Sequence, residues 1–417
     1  MNLAIPRGTG VATYARSLAA CLTDMGHTVD LLYGMDMPPG TDPEVAFFEQ
    51  LQTERGYRRP KYPSPAWLRA TLRARRGDTA MPVPITGRVD ARPLANRVPP
   101  HDRILNVDNL FGRAAHYFRT FGRFITVRIP DPPAVMHWTY PVPVILEGAR
   151  NIYTVHDLVP LRMPYATLDH KPTHMKLLRE CLRLGDHVVT VSERSREDLF
   201  AFFPEASPDR VTNTYQAVLP GAPALDDVQL TRLLHDGFGL VPGGYFLFFG
   251  SIEPKKNVGR LLQAFLASDI DIPLVVVTAR GWQADAEAAL LDRPPGDTRI
   301  RRIEYVAPDV LATLVRGARA VTFPSLYEGF GLPVVEAMQV GTPVLTSREG
   351  ALPEVGGDAV LYVDAFDVAS IAAGLVRLAT DDALCAELRV LGPAQAARFS
   401  MARYAERLQP MLDRVMA

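Results

Sequence analysis

The feature that most constrains the fold is an alternation of short apolar runs with amphipathic segments in the C-terminal half of the chain. The run Tyr245–Phe249 is apolar and bounded by glycines, which predicts a buried strand. The next segment, NVGRLLQAFLAS, carries its apolar residues at helical spacing, and the same rhythm recurs about five times. This alternation predicts an α/β fold built on a doubly wound parallel sheet.

The N-terminal half repeats the rhythm less regularly. It begins with the strand-like NLAI, which leads through PRGTG into a predicted helix, and a later helix is predicted from about Pro172 to Leu184. Ser192 follows a strand-like run and is a candidate helix N-cap. Residues 219–244 contain the proline- and glycine-rich stretches that are typical of a linker.

These patterns predict two Rossmann-like, doubly wound domains, which suits a chain of 417 residues. The first domain is assigned to residues 1–220 and the second to residues 243–395. Residues 398–417 form an amphipathic helix, which we expect to be interrupted at Pro410 because proline lacks the N–H that a helix interior needs.

Charge and composition exclude several classes of function. The formal net charge is −1, so no global field would attract a nucleic acid. The three cysteines, Cys21, Cys181 and Cys385, form no C-x-x-C pair, which argues for a reducing compartment and against structural zinc. We find no apolar run of about 18 residues and no signal peptide, so we expect a cytoplasmic protein.

The segment from about 53 to 100 does not follow the strand–helix rhythm. Between Arg55 and Arg97 it holds eleven lysines and arginines against two acidic residues, with many prolines. It is either a mobile, solvated insertion or a basic, partly apolar surface, carrying Trp67 and Leu68, for anionic lipid or a diphosphate-linked acceptor. The second interpretation predicts that the protein also binds peripherally to the inner face of a membrane.

Two glutamates eight residues apart mark the candidate ligand site. They lie in the stretch FPSLYEGFGLPVVEAMQVGTPVL, with Glu328 in a glycine loop after a predicted strand and Glu336 in a helix that begins near Pro333. A helix N-terminus approached by glycines is an anion site, and acceptor-only carboxylates suit pairs of hydroxyls. A nucleotide sugar has both properties; the alternative is helix capping plus a surface acid.

This stretch closely resembles the E-x7-E motif of the retaining GT-B glycosyltransferases of family 4 (group 1). The resemblance covers most of the chain outside about 35–100, and it implies that the two domains face each other across a cleft and that the last helix packs back on the first domain. It also implies that Glu336 binds the ribose hydroxyls and that Glu328 faces the donor sugar. Four backbone amides would meet the sugar and diphosphate: those of Gly329, Phe330, Gly331 and Leu332.

A second stretch, FFGSIEPKKNVGRLLQAF, resembles the element of this family in which a lysine neutralises the diphosphate. Lys256 is the matching residue, with Lys255 beside it. Ser251 stands where many relatives carry an arginine, so the second cation would have to come from Lys255 or elsewhere. A cation at this position stabilises the charge that grows on the leaving phosphate.

Further residues match the family's cleft. The turn NIYTVHD implies that His156 contacts the donor sugar, so His156, Lys256 and Glu328 are the predicted catalytic residues. Gly8 and Gly10 would let the backbone approach the diphosphate or the acceptor. Val306, with Tyr305 beside it, is a candidate contact for the nucleotide base.

The resemblance implies transfer of a hexose from a nucleotide sugar to a hydroxyl of a glycan or lipid-linked glycan, with retention at the anomeric carbon. No metal or other cofactor is expected. The stretches GSIEPKKN and ARGWQ are most similar to the mannosyltransferase-like branch, so GDP-mannose is the first predicted donor, with UDP- and dTDP-sugars as alternatives. The rival functions are a GT-B phosphorylase, a sugar-nucleotide epimerase, or a catalytically silent paralogue that acts as a scaffold in glycan assembly.

Overall fold

The computed structural model describes residues 10–37, 40–52, 64–90, 94, 98–219, 225–278, 299–304 and 306–417. Several sequence predictions lie outside the described residues: the strand NLAI, Gly8, Tyr305, the stretch ARGWQ and parts of the basic segment (53–63, 91–93 and 95–97).

The described strands of the N-terminal half form three groups, in the orders β1-β4-β3, β2-β5-β7 and β10-β9-β8-β6. Each strand pair is parallel except the β3–β4 pair. The strands are β1 Asp30–Tyr33, β2 Asp78–Thr79, β3 Met81–Pro82, β4 Arg103–Asn106, β5 Ile125–Arg128, β6 Val135–Trp138, β7 Val144–Leu146, β8 Arg150–Val155, β9 His187–Thr190 and β10 Val211–Asn213. The predicted βα rhythm is therefore present in this half.

Helices alternate with these strands. They are α1 Gly10–Asp24, α2 Pro43–Gln52, α3 Pro65–Arg76, α4 Leu110–Phe121, α5 Val159–Arg162, α6 Lys171–Leu184 and α7 Glu193–Phe202. The predicted helix from Pro172 is confirmed as α6. Ser192 is confirmed as an N-cap, because its side chain accepts a hydrogen bond from the amide of Ser195 at 3.0 Å.

The C-terminal half contains one parallel sheet of six described strands in the order β13-β12-β11-β14-β15-β16. The strands are β11 Phe246–Phe249, β12 Leu274–Val277, β13 Ile300–Ile303, β14 Ala320–Phe323, β15 Val344–Ser347 and β16 Leu361–Val363. Counted within this half, the order is 3-2-1-4-5-6, which is that of a doubly wound Rossmann sheet. The prediction from the strand–helix alternation is confirmed here.

The helices of this half cover the sheet and bury its apolar side chains. They are α8 Asp227–Phe238, α9 Val258–Ala267, α10 Pro308–Gly317, α11 Leu332–Gln339, α12 Leu352–Gly356, α13 Val368–Thr380 and α14 Asp382–Ala396, followed by α15 Met401–Met416. Every residue of β11, β12, β14 and β15 is buried, as expected for a parallel sheet covered on both faces.

The last helix, α15, returns to the N-terminal half and packs on α1. The rings of Tyr404 and Tyr14 lie 6.4 Å apart in an edge-to-face arrangement, and both side chains are buried. The predicted interruption at Pro410 is wrong, because the helix is continuous from Met401 to Met416. Pro410 lies on the exposed side of the helix, where the carbonyl that loses its partner can bind water.

Part of the basic segment is built into the fold. The helix α3 is capped by Ser64, β2 pairs with β5, and β3 pairs with β4. The buried carboxylate of Asp78 binds Arg73 at 2.8 Å and Arg113 at 2.6 Å. Residues 64–82 therefore form secondary structure that pairs with strands of the N-terminal half. Among the described residues, no helix is long and apolar enough to cross a membrane.

Candidate active site

The site lies where the order of the six-stranded sheet reverses, between β11 and β14. These strands are neighbours, but the chain leaves them in opposite directions, to β12 and to β15. The loops beyond their carboxyl ends therefore separate and leave a crevice, which is the usual ligand site of a doubly wound sheet. The glutamate loop follows β14 and the lysine pair follows β11.

Lys256 and Glu328 form an ion pair in this crevice. The Nζ atom of Lys256 lies 2.6 Å from Oε1 of Glu328, and only 13% and 7% of the two side chains are exposed. The same Nζ lies 4.5 Å from the centre of the Phe323 ring. The sequence placed both residues in one site, but it did not predict that they bind each other.

A buried asparagine fixes the two loops relative to each other. Asn257 adopts a left-handed conformation with φ 60°, and its side-chain amide donates to the carbonyls of Pro324 at 2.9 Å and Ala365 at 2.7 Å. The amide of Leu326 in turn donates to the carbonyl of Lys255 at 2.7 Å. These bonds hold the lysine pair and the glutamate loop at a fixed separation.

The glycine loop carries the four amides that are predicted to meet the donor. Those of Gly329, Phe330, Gly331 and Leu332 donate no hydrogen bond within the part of the chain that the structure describes. Gly331 has φ 100°, which favours glycine, and it precedes the first residue of α11. Free amides at the start of a helix attract an anion.

The side chain of Phe330 faces the core, so only its backbone serves the site. It is buried and contacts the ring of Phe399 edge-to-face, with centroids 5.2 Å apart. Phe399 precedes α15, so the glycine loop also packs on the segment that leads back to the N-terminal half.

Glu336 lies in α11 and differs from Glu328 in its environment. The residue as a whole is half-buried, and its carboxylate makes no hydrogen bond or ion pair with another described residue. Burial raises the pKa of Glu336 to about 7. The two glutamates therefore do not act as one pair: Glu328 already holds a cation, and Glu336 is free to accept hydrogen bonds.

His156 lies at the end of β8 and reaches the site from the N-terminal half. Its Nε2–H donates to the carbonyl of Thr139 at 2.8 Å, and the Tyr14 ring packs edge-to-face on the imidazole at 4.9 Å. Burial lowers the pKa of His156, so the ring is neutral at pH 7. A neutral ring that carries its proton on Nε2 offers Nδ1 as an acceptor.

Several contacts bring the two halves together around the glycine loop. A Cβ on Gly329 would lie 2.2 Å from the carbonyl oxygen of His156, so only glycine fits there. The Ser195 hydroxyl donates to that same carbonyl at 2.9 Å and lies 3.4 Å from the carbonyl of Gly329. Gly10 lies close to the Leu332 side chain: a Cβ on Gly10 would be 3.5 Å from Cδ1 of Leu332.

An ion pair of Lys255 links the C-terminal half to the N-terminal half. Its Nζ lies 3.6 Å from Oδ2 of Asp157. Burial alone would lower the pKa of Lys255, but the negative charges of Asp157, Glu328 and Glu253 outweigh that effect and raise it. Lys255 is therefore a firmly held cation beside Lys256.

Two further predicted contacts, Ser251 and Val306, interact with neighbours of their own. The Ser251 hydroxyl donates to Glu253 at 2.6 Å, within its own loop. Val306 follows β13, which is separated from β11 by β12, and it packs against the apolar core. Two strand spacings correspond to ~10 Å, which is the separation of β13 from β11.

Sequence analysis missed a buried polar cluster next to the glutamate loop. Asp198 of α7 is fully buried and accepts hydrogen bonds from Arg162 at 2.9 Å and from the hydroxyl of Tyr327, while Arg194 lies at 3.3 Å. Tyr327 directly precedes Glu328. Only the three-residue proximity to Ser195 in VSERSREDL could have pointed to Asp198.

Sequence analysis also missed a helix cap that crosses between the two halves. The carboxylate of Glu354, in α12, accepts hydrogen bonds from the amides of Glu193 and Arg194, both at 3.0 Å. These amides belong to the first turn of α7, so an acid of the C-terminal half caps a helix of the N-terminal half.

Comparisons with known proteins find related glycosyltransferases. Residues 241–392 match the family model for glycosyl transferases group 1. The chain is 35% identical over 260 residues to O-antigen chain mannosyltransferase B of Escherichia coli, covering 60% of this chain and 67% of that protein. It is 28% identical to MMP alpha-(1->4)-mannosyltransferase of Mycolicibacterium hassiacum, covering 92% and 88%. The chain spans only about a third (34%) of a longer match, the serotype-specific mannosyltransferase WbdA of E. coli.

The fold is also that of solved glycosyltransferases. Sucrose-phosphate synthase of Thermosynechococcus elongatus superposes with a TM-score of 0.64 at 16% identity, covering 98% of this chain and 94% of that one. This likeness concerns the fold alone, which is GT-B, with two Rossmann-like domains. The match of residues 241–392 to the family model, together with the 35% identity to a mannosyltransferase covered over 67% of its length, identifies the chain as a member of the glycosyl transferases group 1.

Proposed function

We propose that this glycosyltransferase moves a mannosyl residue from a nucleotide sugar, first GDP-mannose, to a hydroxyl of a growing or lipid-linked glycan, with retention at the anomeric carbon. The names of the two mannosyltransferase relatives support the sugar. One observation carries the proposal: the Lys256–Glu328 pair lies in the crevice beside four amides that no described residue engages.

The diphosphate of the donor would lie against these amides and the two lysines. As the bond between C1 and the phosphate oxygen breaks, negative charge grows on the leaving diphosphate. Lys256 is nearly buried, so its charge is little screened there, and the pairing with Glu328 fixes its position before the donor binds. Lys255 supplies a second positive charge.

The sugar and ribose would be recognised by acceptors. Glu328 would face the sugar, and Glu336, whose carboxylate has no described partner, would accept hydrogen bonds from the ribose hydroxyls. Nδ1 of the neutral His156 would accept one from a sugar hydroxyl. Val306 would help to line the place of the base.

Retention is proposed from the resemblance to the retaining family 4 enzymes. A front-face route is favoured over a covalent intermediate because Glu328, the carboxylate proposed to face the sugar, is held by Lys256. The acceptor oxygen would attack C1 on the face that the diphosphate leaves. Its proton would pass to the departing phosphate oxygen, so that a new C1–O bond forms as the old one breaks. No step requires a metal ion.

The test combines donor binding with product analysis. Thermal unfolding is measured with GDP-mannose, UDP-glucose and a dTDP-sugar, and the GDP-mannose reaction with a mannoside acceptor is then followed by NMR. We expect GDP-mannose to raise Tm most, because the donor that binds most tightly stabilises the folded protein most. A ligand at 100 times its Kd stabilises by about 2.7 kcal/mol. With retention, the α-configured donor should give an α-linked product.

Other outcomes would redirect the proposal. A β-linked product would contradict retention. Release of mannose 1-phosphate that depends on inorganic phosphate would favour a phosphorylase, and nucleotide binding without turnover of any donor would favour a silent paralogue.

A further inference from the structure

Helix α3 (Pro65–Arg76) presents apolar side chains to solvent on the side where a surface helix is normally polar. Its inner side packs on the body of the protein through Ala74, which is 4% exposed. On its outer side, Leu68 and Leu72 are 53% and 44% exposed and lie four residues apart, so they form one stripe.

The end of α4 adds a further exposed apolar side chain beside α3. Phe121 is 45% exposed, and its ring lies 6.4 Å from that of Trp67 in the first turn of α3. We call this surface, formed by Leu68, Leu72 and Phe121, the α3 face. Single exposed apolar residues are common, whereas a contiguous group on one helix and its neighbour indicates a contact surface.

Arginines surround the α3 face. Arg69, Arg75 and Arg76 are exposed on α3, and Arg119 and Arg123 are exposed beside Phe121. Within the described residues, none of these five guanidinium groups forms an ion pair. Arg73 differs, because it binds the buried Asp78 at 2.8 Å and belongs to the fold.

We infer that the α3 face docks on an anionic lipid surface. Leucines flanked by unpaired arginines match such a surface, since the apolar side chains can enter the acyl boundary while the guanidinium groups bind lipid phosphates. The whole chain has a net charge of only −1, so this local excess of positive charge is not a consequence of composition. The inference does not depend on the identity of the donor.

The position of the α3 face fits the proposed acceptor side. Helix α3 belongs to the N-terminal half, whereas the lysine pair and the glutamate loop belong to the C-terminal half. Docking through α3 would hold the N-terminal half at the membrane, where a lipid-linked glycan is available, and would leave the donor loops free to bind a nucleotide sugar.

The test is co-sedimentation of the full chain with vesicles of phosphatidylcholine alone or mixed with phosphatidylglycerol, at low and high salt. We expect binding only to the mixed vesicles, and weaker binding at high salt. The double variant Arg75→Gln/Arg76→Gln should bind about thirtyfold more weakly. Leu68→Ser/Leu72→Ser should also lose binding, and its loss should persist at low salt.

The matched control is Arg389→Gln/Val390→Ser, which changes an exposed arginine and an exposed valine (74%) on α14 of the C-terminal half. It should bind like the unchanged protein, and circular dichroism and donor affinity should be unaltered in each variant. The inference is overturned if the unchanged protein stays in the supernatant with anionic vesicles at low salt, or if the α3 variants bind like the control. It is also overturned if Leu68→Ser/Leu72→Ser converts a dimer in solution to a monomer without changing vesicle binding.

Discussion

The two halves contribute to the crevice in different ways. In the C-terminal half, two short segments, 250–257 and 324–332, supply both lysines, both loop glycines and Glu328. In the N-terminal half, the contacts come from separate elements: Gly10 at the start of α1, His156 after β8, and Ser195 and Asp198 in α7. The compact arrangement in the C-terminal half fits our proposal that it binds the donor, whereas in this division of labour the N-terminal half would complete the site with groups from several elements.

The strongest test of this division is Lys256→Ala. It removes the cation at the proposed leaving group and leaves Glu328 buried without its partner. We expect kcat/KM for the donor to fall about 10²- to 10³-fold. The matched control is Lys255→Ala, which removes the contact with Asp157 and should have a smaller effect on donor affinity. Equal effects of the two variants would contradict distinct roles for the lysines.

A variant of Glu336 tests donor binding separately from the chemical step. Glu336→Ala should weaken nucleotide binding about ten- to a hundredfold, because charge-assisted hydrogen bonds to ribose are worth roughly 1.5–3 kcal/mol. Calorimetric titration with GDP measures this loss. An unchanged Kd in a folded variant would remove Glu336 from the ribose site.

Because the pKa of Glu336 is raised, stability of the free protein and nucleotide affinity should depend on pH in opposite directions. The folded pKa of about 7 lies above that of an unfolded glutamate, so the free protein loses stability as pH rises towards 7. Nucleotide affinity should rise over the same range, because the ionised carboxylate is the better acceptor. Glu336→Gln should flatten both profiles, and a nucleotide affinity that keeps its pH dependence in this variant would assign the effect to another group.

A variant of Glu354 tests whether the contact between the two halves is needed for turnover. Glu354→Gln weakens the cap on α7, and caps are worth about 0.5–2 kcal/mol, so turnover should fall roughly two- to thirtyfold. The Kd for GDP should change little, because Glu354 contacts α7 and not the donor loops. Asp358→Asn, an exposed acid in the next turn, is the control. A loss of GDP affinity as large as the loss of turnover would contradict the division.

The smallest expected effect is that of a chelator. The diphosphate charge is assigned to Lys255, Lys256 and the amides at the start of α11, so activity with EDTA should equal activity without it. Turnover that disappears with EDTA and returns with magnesium or manganese would contradict this assignment.

The sequence by itself determined the alternation of strands and helices, and with it the six-stranded sheet of the C-terminal half. It also located the segments that we propose bind the donor, because the ligand loops of a doubly wound sheet follow its strands directly and are therefore local in sequence. Apolar periodicity predicts such elements, since burial on a strand or helix repeats with a fixed period. The prediction that the last helix is interrupted at Pro410 was wrong because it used local propensity alone. The exposed side of α15 tolerates a proline that local propensity disfavours.

Only the tertiary structure decided which polar groups bind each other. Lys256 and Glu328 are 72 residues apart, Tyr327 and Asp198 are 129 apart, and Glu354 and Glu193 are 161 apart. Each carboxylate here has a role that depends on its surroundings: Glu328 holds a cation, Glu354 caps a helix, and Glu336 is left with a raised pKa. Pattern alone cannot distinguish these roles, because burial and the nearest opposite charge arise only when distant segments pack together.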